Sequence, residues 1–536
     1  MIRVFDIVLS LDEGEELLPR KISDLLGISP DEIISLRVVR RSLDARRNRP
    51  PRFVYVVDAT LADEKGALEK AGEGLKIRLV EEEPERERFL RMPLPEKRPI
   101  VIGSGPAGLF AALTLALEGI PVLLLERGRP VQERVADTVS FWREGILNRE
   151  SNVHFGEGGA GTFSDGKLTT RVKNRRTEWV KKTFADLGAP SEILTDARPH
   201  IGTDRLRQVV VHLRQRLLER GCEIRFNARV TDIIVHKDSV AGIVVNGSEE
   251  IRTDHLILAI GQSAVETYEK IHERGIRLAA KPFAMGLRVE HPQELMNRIQ
   301  YGKWWPHGNL PPADYVLTAK IPGMDRAVYT FCMCPGGEII GCSSAEGEVV
   351  TNGMSLYRRE SPFANSAVVV NVRVEDFAGE SPLSGINLRR EWEKKAFLLG
   401  GGNYRAPAQR LTDFATGKES RDIGPTSFHP GVTIVPLKEV LPPFVCEALR
   451  AGLMIFDRKM PGFLTSEASL MGVETRTSSP VRIVRGEDGQ SVTMSGLYPC
   501  GEGSGYAGGI MSSALDGIRA AEHVLRELGK GLKAKG

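Results

Sequence analysis

The stretch that decides the fold is RPIVIGSGPAGLFAALTLALEGIPVLLLERG, residues 98–128. It reads as a short apolar strand, a glycine turn, a helix rich in Ala and Leu, and a second apolar strand. In such a unit Gly103 makes the tight turn, Gly105 lets a pyrophosphate approach the backbone, and Gly108 lets helix and strand pack closely. The free N–H groups at the helix N-terminus attract the phosphates. The sequence therefore predicts a dinucleotide site here.

The residue at the tip of the second strand supports this prediction. Glu126 stands where a carboxylate accepts hydrogen bonds from the adenosine ribose hydroxyls. An acid at this place, rather than an arginine, argues against a ribose 2′-phosphate. A chance glycine turn is the alternative, but here the strand, the helix and the terminal acid occur together.

Length and charge bound the remaining possibilities. A chain of 536 residues is too long for one compact core, so two or three domains are expected. The 73 basic and 70 acidic side chains give a formal net charge of +3. That balance lacks the strong excess of one sign that is typical of a nucleic-acid binder. We expect a small-molecule substrate and no nucleic-acid partner.

The cysteines and the N-terminus favour a cytoplasmic protein. Six cysteines are spread along a chain that starts MIRVFDIVLSLDEGEE, without a basic start, an apolar run and a small-residue cleavage site. This usage is typical of a reducing compartment. The most apolar stretch, LFAALTLALEGIPVLLL, is divided by Glu118, Gly119 and Pro121, so no membrane span is expected.

Two later segments complete the pattern begun by residues 98–128. Residues 222–261 read as successive short strands with polar turns and end in LILAIG, whereas GLYPCGEGSGYAGGI joins a strand to a glycine cluster and a helix. Together with VIGSGPAG, these segments resemble the three pieces of the FAD domain in the glutathione-reductase-like FAD flavoproteins. The resemblance implies FAD as the cofactor.

The same resemblance assigns residues to parts of the cofactor. It implies that Glu502 accepts a hydrogen bond from a ribityl hydroxyl and that the backbone of Val230 meets the adenine. It also implies that Gly508, Gly509 and Ile510 bring amides of a helix N-terminus near the isoalloxazine.

A glycine-rich loop, FGEGGAGTFSDGKLTT at residues 155–170, follows the second strand and its helix. Five glycines in a short loop imply either unusual φ values or a partner pressed against the main chain. By the resemblance, this loop lies along the pyrophosphate, the ribityl chain and the flavin edge; a glycine-rich surface loop is the alternative.

In the second of the three FAD-domain pieces, which ends in LILAIG, Ile260 stands where threonine is common in that superfamily, and Gly261 is expected to contact the cofactor. The predicted cofactor-binding residues are Gly103, Gly105, Pro106, Ala107, Gly108, Glu126, Arg127, Gly158, Gly159, Ala160, Gly161, Thr162, Val230, Gly261, Gly501, Glu502, Gly508, Gly509 and Ile510.

Further motifs point to a narrower group. With FCMCPGG, VVTNGMS, GVETRTSSPVRI and GEGSGYAGGI, the chain resembles the uncharacterised bacterial FAD-dependent dehydrogenases called NAD(FAD)-utilising dehydrogenases. The resemblance covers nearly the whole chain. It implies the cofactor, but the substrate of that group is not established.

The predicted fold class is α/β: a Rossmann-like FAD-binding domain with an inserted mixed β-sheet substrate domain and a small α+β N-terminal domain. The expected boundaries are 1–95 for the accessory domain, 96–265 for the first parts of the FAD-binding domain, 266–490 for the insertion and 491–536 for the last part of the FAD-binding domain. Ligands are expected between the FAD-binding and substrate domains.

Three residues are candidates for catalysis. Lys167 and Asp165 follow the glycine loop, which is expected to place them near the flavin ring, where a cation stabilises the anionic reduced flavin. An exposed Lys–Asp turn is the alternative. Arg476 is a candidate for binding an anionic substrate, and a structural ion pair with Glu474 is its alternative.

Two of the cysteines allow two interpretations. Cys332 and Cys334 are two apart on a predicted strand, which places both side chains on one face. A redox pair or a nucleophile is one reading, and two buried cysteines that pack as small apolar residues are favoured over it. No metal site is predicted, because Cys342 alone does not complete a ligand set.

These features predict an FAD-dependent oxidoreductase that transfers hydride between flavin N5 and an organic substrate. Because no second GxGxxG follows Gly108, NADH or NADPH is expected at most as a transient electron donor. One alternative is a binding protein with a structural flavin that acts on RNA or protein through the arginine-rich segment RRSLDARRNRPPR. Another is a flavoprotein similar to geranylgeranyl reductases, with a protein or a membrane-borne isoprenoid as substrate.

Overall fold

The structure is a computed structural model that describes residues 1–46, 49–70, 75–80, 94–170, 172 and 174–533. The N-terminal part forms a four-stranded antiparallel sheet in the order β2-β3-β1-β4. One face of the sheet buries alternate apolar residues such as Ile2, Val4 and Val57 against the first helix. Its elements are β1 (Ile2–Ser10), α1 (Leu18–Leu26), β2 (Ile33–Asp44), β3 (Arg52–Leu61), α2 (Glu64–Lys70) and β4 (Ile77–Leu79).

Residues 98–128 form the strand, turn, helix and strand that the sequence predicts. Short runs such as IVI and LLL are buried on both faces, as in a parallel sheet covered by helices. The elements up to residue 273 are β5 (Ile100–Ile102), α3 (Pro106–Leu117), β6 (Leu123–Leu125), α4 (Val131–Glu144), α5 (Arg176–Asp186), α6 (Thr203–Glu219), β7 (Glu223–Arg225), β8 (Val230–His236), β9 (Ser239–Val245), β10 (Glu249–Arg252), β11 (Leu256–Leu258) and α7 (Val265–Glu273).

A second, larger sheet is formed by the middle of the chain. It has seven strands in the order β14-β15-β18-β13-β21-β19-β20; β19 and β20 are parallel and the other pairs are antiparallel. Helix α11 packs on this sheet, where Gly452 approaches Val328 closely. The elements are β12 (Leu278–Ala280), β13 (Phe283–Pro292), α8 (Gln293–Tyr301), β14 (Thr318–Lys320), β15 (Ala327–Cys334), β16 (Gly337–Gly341), β17 (Thr351–Ser355), β18 (Phe363–Val372), α9 (Ser384–Leu399), β19 (Ala406–Arg410), α10 (Leu411–Thr416), β20 (Val432–Ile434), α11 (Pro443–Lys459), β21 (Ser469–Glu474) and β22 (Val481–Ile483).

The C-terminal part returns to the first sheet. Strand β23 (Leu497–Pro499) pairs in parallel with β11, which completes the order β23-β11-β5-β6-β7, and α12 (Ile510–Lys533) packs on α3. The approach of these two helices is close, because a Cβ on Gly517 would lie 2.0 Å from the Ala107 carbonyl oxygen. The α/β class is confirmed: a parallel Rossmann-like region is interrupted by a mixed sheet and preceded by a small α+β sheet. Within the part of the chain described here, no helix is long and apolar enough to cross a membrane.

Candidate functional site

A cavity of about 400 Å³ lies between the parallel sheet and the mixed sheet. One side of it is formed by the ends of the glycine segments, and the other by β15, β17 and β21. The predicted residues that line it are Gly103, Gly105, Pro106, Ala107, Glu126, Arg127, Gly159, Ala160, Gly161, Asp165, Lys167, Val230, Gly261, Arg476, Gly501, Glu502, Gly508, Gly509 and Ile510. Segments far apart in sequence therefore meet at one site.

Three predicted cofactor-binding residues lie behind the lining. Gly108 packs on the first strand, where a Cβ would lie 1.8 Å from the Gly103 carbonyl oxygen. Gly158 has a φ of 81°, and its N–H donates to the Ser104 carbonyl over 2.9 Å. Thr162 is buried and accepts a hydrogen bond from the Thr203 hydroxyl on its carbonyl oxygen. These residues shape the turn and the loop instead of lining the cavity.

We call the lining formed by Gly105, Gly159, Gly261, Gly508 and Gly509 the glycine wall. A Cβ on Gly261, Gly508 or Gly509 would meet no protein atom within 4 Å, so side chains there would project into open space. Gly105 and Gly159 approach so closely that a Cβ on Gly159 would lie 3.0 Å from the Gly105 Cα. This bare backbone beside the N-terminus of a helix fits a long ligand with a pyrophosphate.

A buried arginine fixes the glycine loop. The Arg134 side chain from α4 donates hydrogen bonds of 2.6–2.7 Å to the carbonyls of Asn152, Val153 and Glu157, and its guanidinium stacks over the Phe163 ring. Burial lowers the pKa of Arg134 to about 9, so it still carries its charge at neutral pH. Because the loop is bound through its carbonyls, the glycines keep a defined path beside the cavity.

Glu126 also joins the segments of this wall. Its carboxylate accepts hydrogen bonds from the N–H and hydroxyl of Ser104 and from the N–H groups of Gly128 and Gly156, at 2.7–3.0 Å. The side chain thus connects the turn, the strand tip and the glycine loop, a role that the sequence did not reveal.

The other residues of the strand tip form the far end of the cavity. The Arg127 guanidinium lies 3.9 Å from the centre of the Phe155 ring and pairs with Glu150 at 2.8 Å. Val230 lines the same end at the start of β8. The guanidinium thus covers a face of the buried Phe155 ring and itself lines this part of the cavity, where a planar cation suits a stacked base.

Asp165 and Lys167 meet at the opposite end. The Asp165 carboxylate accepts two hydrogen bonds from Arg359, at 2.8 and 3.1 Å, and lies 3.4 Å from the Lys167 ammonium. Burial alone would raise the pKa of Asp165, but the charges of Lys167 and Arg359 outweigh it and hold that pKa well below its usual value. Because Asp165 is only 1% exposed, the alternative of an exposed Lys–Asp turn is wrong for this residue.

Lys167 reaches across to the mixed sheet. Its ammonium donates to the carbonyl of Met333, the residue between Cys332 and Cys334, while 30% of its side chain stays accessible. Burial opposes the charge, but Asp165 and the two cysteines outweigh that effect and raise the pKa of Lys167. The cavity therefore contains a permanent cation.

Arg476 is occupied by partners within the chain. Its guanidinium contacts Glu393 at 2.8 and 3.0 Å, Glu348 at 3.3 Å, and the hydroxyls of Ser263 and Ser344. These five contacts match the five N–H groups of the side chain, which leaves none over for an anionic substrate. The expected ion pair of Arg476 with Glu474 is wrong, because Glu474 pairs with Arg288.

The opposite side of the cavity we call the charged wall, formed by Phe331, Cys332, Asn352 and Glu474. The fully buried Arg288 lies behind it and donates to the Glu474 carboxylate over 3.1 Å and to the Cys332 carbonyl over 2.8 Å. Burial raises the pKa of Glu474 to about 7, although the charge of Arg288 opposes the rise.

Sequence reasoning missed Glu474, Arg288 and His154 as parts of the site. His154 lines the cavity with its Nε2 buried and unpartnered within the described chain, and burial lowers its pKa well below 6.5. The motifs VVTNGMS and GVETRTSSP carry Asn352 and Glu474 and supported the family resemblance. Only the fold shows that they meet at the cavity. Among the described residues, no group of three His, Cys, Asp or Glu side chains could hold a metal ion.

The two cysteines of FCMCPGG do not lie on a regular strand. Between Phe331 and Cys334 the pairing with β18 gains one extra residue, and Cys332 has a φ of 46°. Cys332 lines the cavity, whereas Cys334 is fully buried behind it. The regular strand assumed in that expectation is interrupted here, because the strand bulges at this point.

The arginine-rich segment is largely paired within the chain. Asp44 lies within 3.5 Å of the guanidinium groups of Arg46, Arg49 and Arg52, and Arg41 pairs with Asp196 at 2.9 Å. Residues 47–48 of the segment are outside the described residues. The pairing of Arg41 connects the N-terminal sheet to the region before α6.

Comparison with protein families gives matches over most of the chain. Residues 97–265 match a family described as FAD binding domain, and residues 282–477 match one described as FAD-dependent protein, C-terminal domain-like. Residues 1–60 match a domain of unknown function. FAD is therefore the cofactor, as the sequence predicted.

Individual relatives differ in how much they cover. An uncharacterised protein of Clostridium beijerinckii is 44% identical over 532 residues, which is 98% of this chain and 99% of the relative. A thiamine thiazole synthase of Aeropyrum pernix is 27% identical over 246 residues, 43% of this chain and 77% of that protein. The structure of a glycerol-3-phosphate dehydrogenase from Bacillus halodurans complexed with FAD is similar at 12% identity and a TM-score of 0.34, covering 82% of this chain and 65% of that one.

Proposed function

Because the chain belongs to the same family as the Clostridium beijerinckii protein and binds FAD, we propose that it is an FAD-dependent oxidoreductase that transfers hydride between flavin N5 and an organic substrate. The observation that carries the proposal is that the cavity lined by the glycine wall is also lined by the ionisable side chains of Asp165, Lys167, Cys332 and Glu474. A structural flavin would need no such chemistry beside it. We further propose that this family belongs to the glutathione-reductase-like flavoproteins and corresponds to the NAD(FAD)-utilising dehydrogenases.

Bound FAD would supply two-electron chemistry at N5. The glycine wall would hold it through backbone N–H groups, with Glu126 at the ribose, Val230 at the adenine and Glu502 at the ribityl chain. The Gln262 side-chain amide donates to the Glu502 carboxylate over 2.9 Å and to the Arg476 carbonyl over 2.7 Å. The backbone carbonyl of Arg476 therefore helps to fix Gln262, which in turn orients Glu502, whereas the Arg476 side chain is held by Glu393 and Glu348.

Two side chains of the cavity are suited to charge and proton movement. Lys167 keeps a positive charge there, which would stabilise negative charge that develops on the reduced cofactor or the substrate. Glu474, with a pKa of about 7, would hold or release a proton near neutral pH. Asp165 would keep Lys167 charged and in place.

The first experiment is an anaerobic titration of the holoprotein with NADH and then NADPH, which follows the oxidised flavin absorbance at about 450 nm. We expect one nucleotide to bleach this band. Bleaching by neither would contradict a nicotinamide donor and leave the substrate as the reductant. A protein that takes up no FAD would overturn the proposed function.

A matched pair of variants tests the role of Lys167. We expect Lys167→Met to shift the flavin potential to more negative values by on the order of tens of millivolts, because a cation that stabilises the reduced form is lost. Lys303→Met changes an exposed lysine outside the cavity lining and should leave the potential unchanged. Equal potentials in the two variants would contradict the proposed role.

A further inference from the structure

One cysteine of the charged wall has a second cysteine directly behind it. Cys332 lines the cavity, and the Cys334 thiol behind it donates to the Cys332 carbonyl over 3.3 Å. The extra residue in β15 brings these two residues together in a conformation that a regular strand does not give. A non-glycine residue at a φ of 46° is uncommon, and such backbone outliers concentrate at functional sites.

Two cations contact the segment that carries this pair. The Lys167 ammonium binds the carbonyl of Met333, between the two cysteines. The Arg288 guanidinium contacts the Cys332 carbonyl at 2.8 Å and the Cys334 sulfur at 3.7 Å. Positive charge of this kind stabilises a thiolate, which is the reactive form of cysteine.

The two thiols differ in acidity in the direction that a redox pair requires. The interaction with Cys334 is the largest cause that lowers the pKa of Cys332, and the charges of Lys167 and Arg288 add to the effect. The same interaction and burial raise the pKa of Cys334 well above its usual value. The thiolate of the pair therefore forms preferentially at Cys332, which lines the cavity, and the proton stays on Cys334 behind it. The carboxylates of Asp165 and Glu474 also face the pair and oppose its negative charge.

We propose that Cys332 and Cys334 form a redox-active pair that exchanges two electrons with the FAD bound in the cavity. This inference rests on the proposed redox use of FAD. In the oxidising direction for sulfur, the thiolate and the thiol form an S–S bond and release two electrons and the single proton of Cys334. Oxidised FAD in the cavity would accept both electrons and that proton, so atoms and charge balance without another reactant. Lys167, which lines the same cavity, would stabilise the negative charge before and after the transfer.

The test counts electrons in the holoprotein. After treatment with a mild thiol oxidant and its removal, the protein is titrated anaerobically with dithionite. We expect about four electrons per flavin, two for FAD and two for the disulfide, since a dithiol–disulfide couple carries two electrons. Cys332→Ser and Cys334→Ser should each take up about two electrons. The control Cys446→Ala changes a buried cysteine on α11, away from the cavity, and should keep about four.

A second measurement needs no variant. The oxidised and the fully reduced wild-type holoprotein are quenched in acid and alkylated, and the labelled cysteines are located by mass spectrometry. We expect Cys332 and Cys334 to gain label only after reduction, whereas Cys342 is labelled equally in both states. An uptake of about two electrons by the wild type, with both cysteines labelled in both states, would overturn the proposal. Dithionite reduces the flavin directly, so this result is independent of whether a nicotinamide or a substrate does so.

Discussion

The glycine wall and the charged wall face each other across the same cavity, but they are constructed differently. The glycine wall consists of bare backbone exposed to the cavity, and each of its segments is a local motif. The charged wall consists of side chains whose partners are far away in sequence, such as Arg288 with Glu474. The comparison teaches that cofactor binding here depends on local conformation, whereas the chemistry next to it depends on buried charge pairs that only the tertiary fold can satisfy.

The largest effect should follow from breaking the charge pair behind the charged wall. Arg288→Met removes the partner of Glu474 where both side chains are buried, so we expect the free energy of unfolding to fall by about 3–5 kcal/mol. Denaturant unfolding of the apoprotein measures this change in the free energy of unfolding. The double variant Arg288→Met with Glu474→Gln should recover part of the loss, because the unpaired charge is gone.

An exposed pair provides the control for that variant. Arg298 and Glu294 lie 2.9 Å apart on α8, but the Arg298 side chain is 71% exposed. We expect Arg298→Met to change the free energy of unfolding by less than about 1 kcal/mol. Similar losses from the buried and the exposed pair would show that the charged wall is not stabilised as described.

The next effect concerns a carboxyl on the cofactor side of the cavity. Burial raises the pKa of Glu502 from 4.5 to about 7, with Gln262 opposing the rise. The folded protein thus binds this proton more tightly than the unfolded chain, so its contribution to stability is present below pH 4.5 and is lost as the pH rises to about 7. For a shift of this size the loss is up to about 3 kcal/mol.

Glu502→Gln isolates that contribution. The free energy of unfolding of the apoprotein is measured between pH 4.5 and pH 7.5 in both proteins. We expect the wild type to lose more stability over this interval than the variant, whose amide does not titrate. Parallel pH profiles would contradict a raised pKa at Glu502 and would place the pH sensitivity elsewhere in the molecule.

The two walls also differ in how far the sequence predicts them. VIGSGPAG predicts strand, turn and helix because glycine spacing and apolar runs act within a few residues, and β5, α3 and β6 follow that prediction. The partner predicted for Arg476 was wrong, because nothing in the local sequence indicates that Glu393 from α9 reaches this side chain. The bulge at Cys332 was also missed, since the extra residue is defined only by pairing with β18.

A smaller effect is expected where the glycine motif packs on itself. A Cβ on Gly108 would lie 1.8 Å from the Gly103 carbonyl oxygen, and since that atom is backbone, the helix must shift. We expect Gly108→Ala to lower the free energy of unfolding of the apoprotein by about 2 kcal/mol, in the range typical of overpacking. An unchanged apoprotein would show that α3 and the turn tolerate separation, and that the motif matters only for the ligand.

The smallest effect should fall on binding alone. Gly508 lines the cavity, and a Cβ there would meet no protein atom within 4 Å, so the apoprotein should accept Gly508→Ala without loss of stability. The added methyl group would take space that the cofactor needs, and we expect FAD to bind about tenfold more weakly, which corresponds to about 1.4 kcal/mol. Equilibrium dialysis of apoprotein with FAD measures this change.

Gly308→Ala is the matched control, because Gly308 is exposed, has equally open space around its Cβ and lies outside the cavity lining. Should both variants bind FAD as the wild type does, the backbone at Gly508 would not touch the cofactor, and the glycine wall would end before that residue.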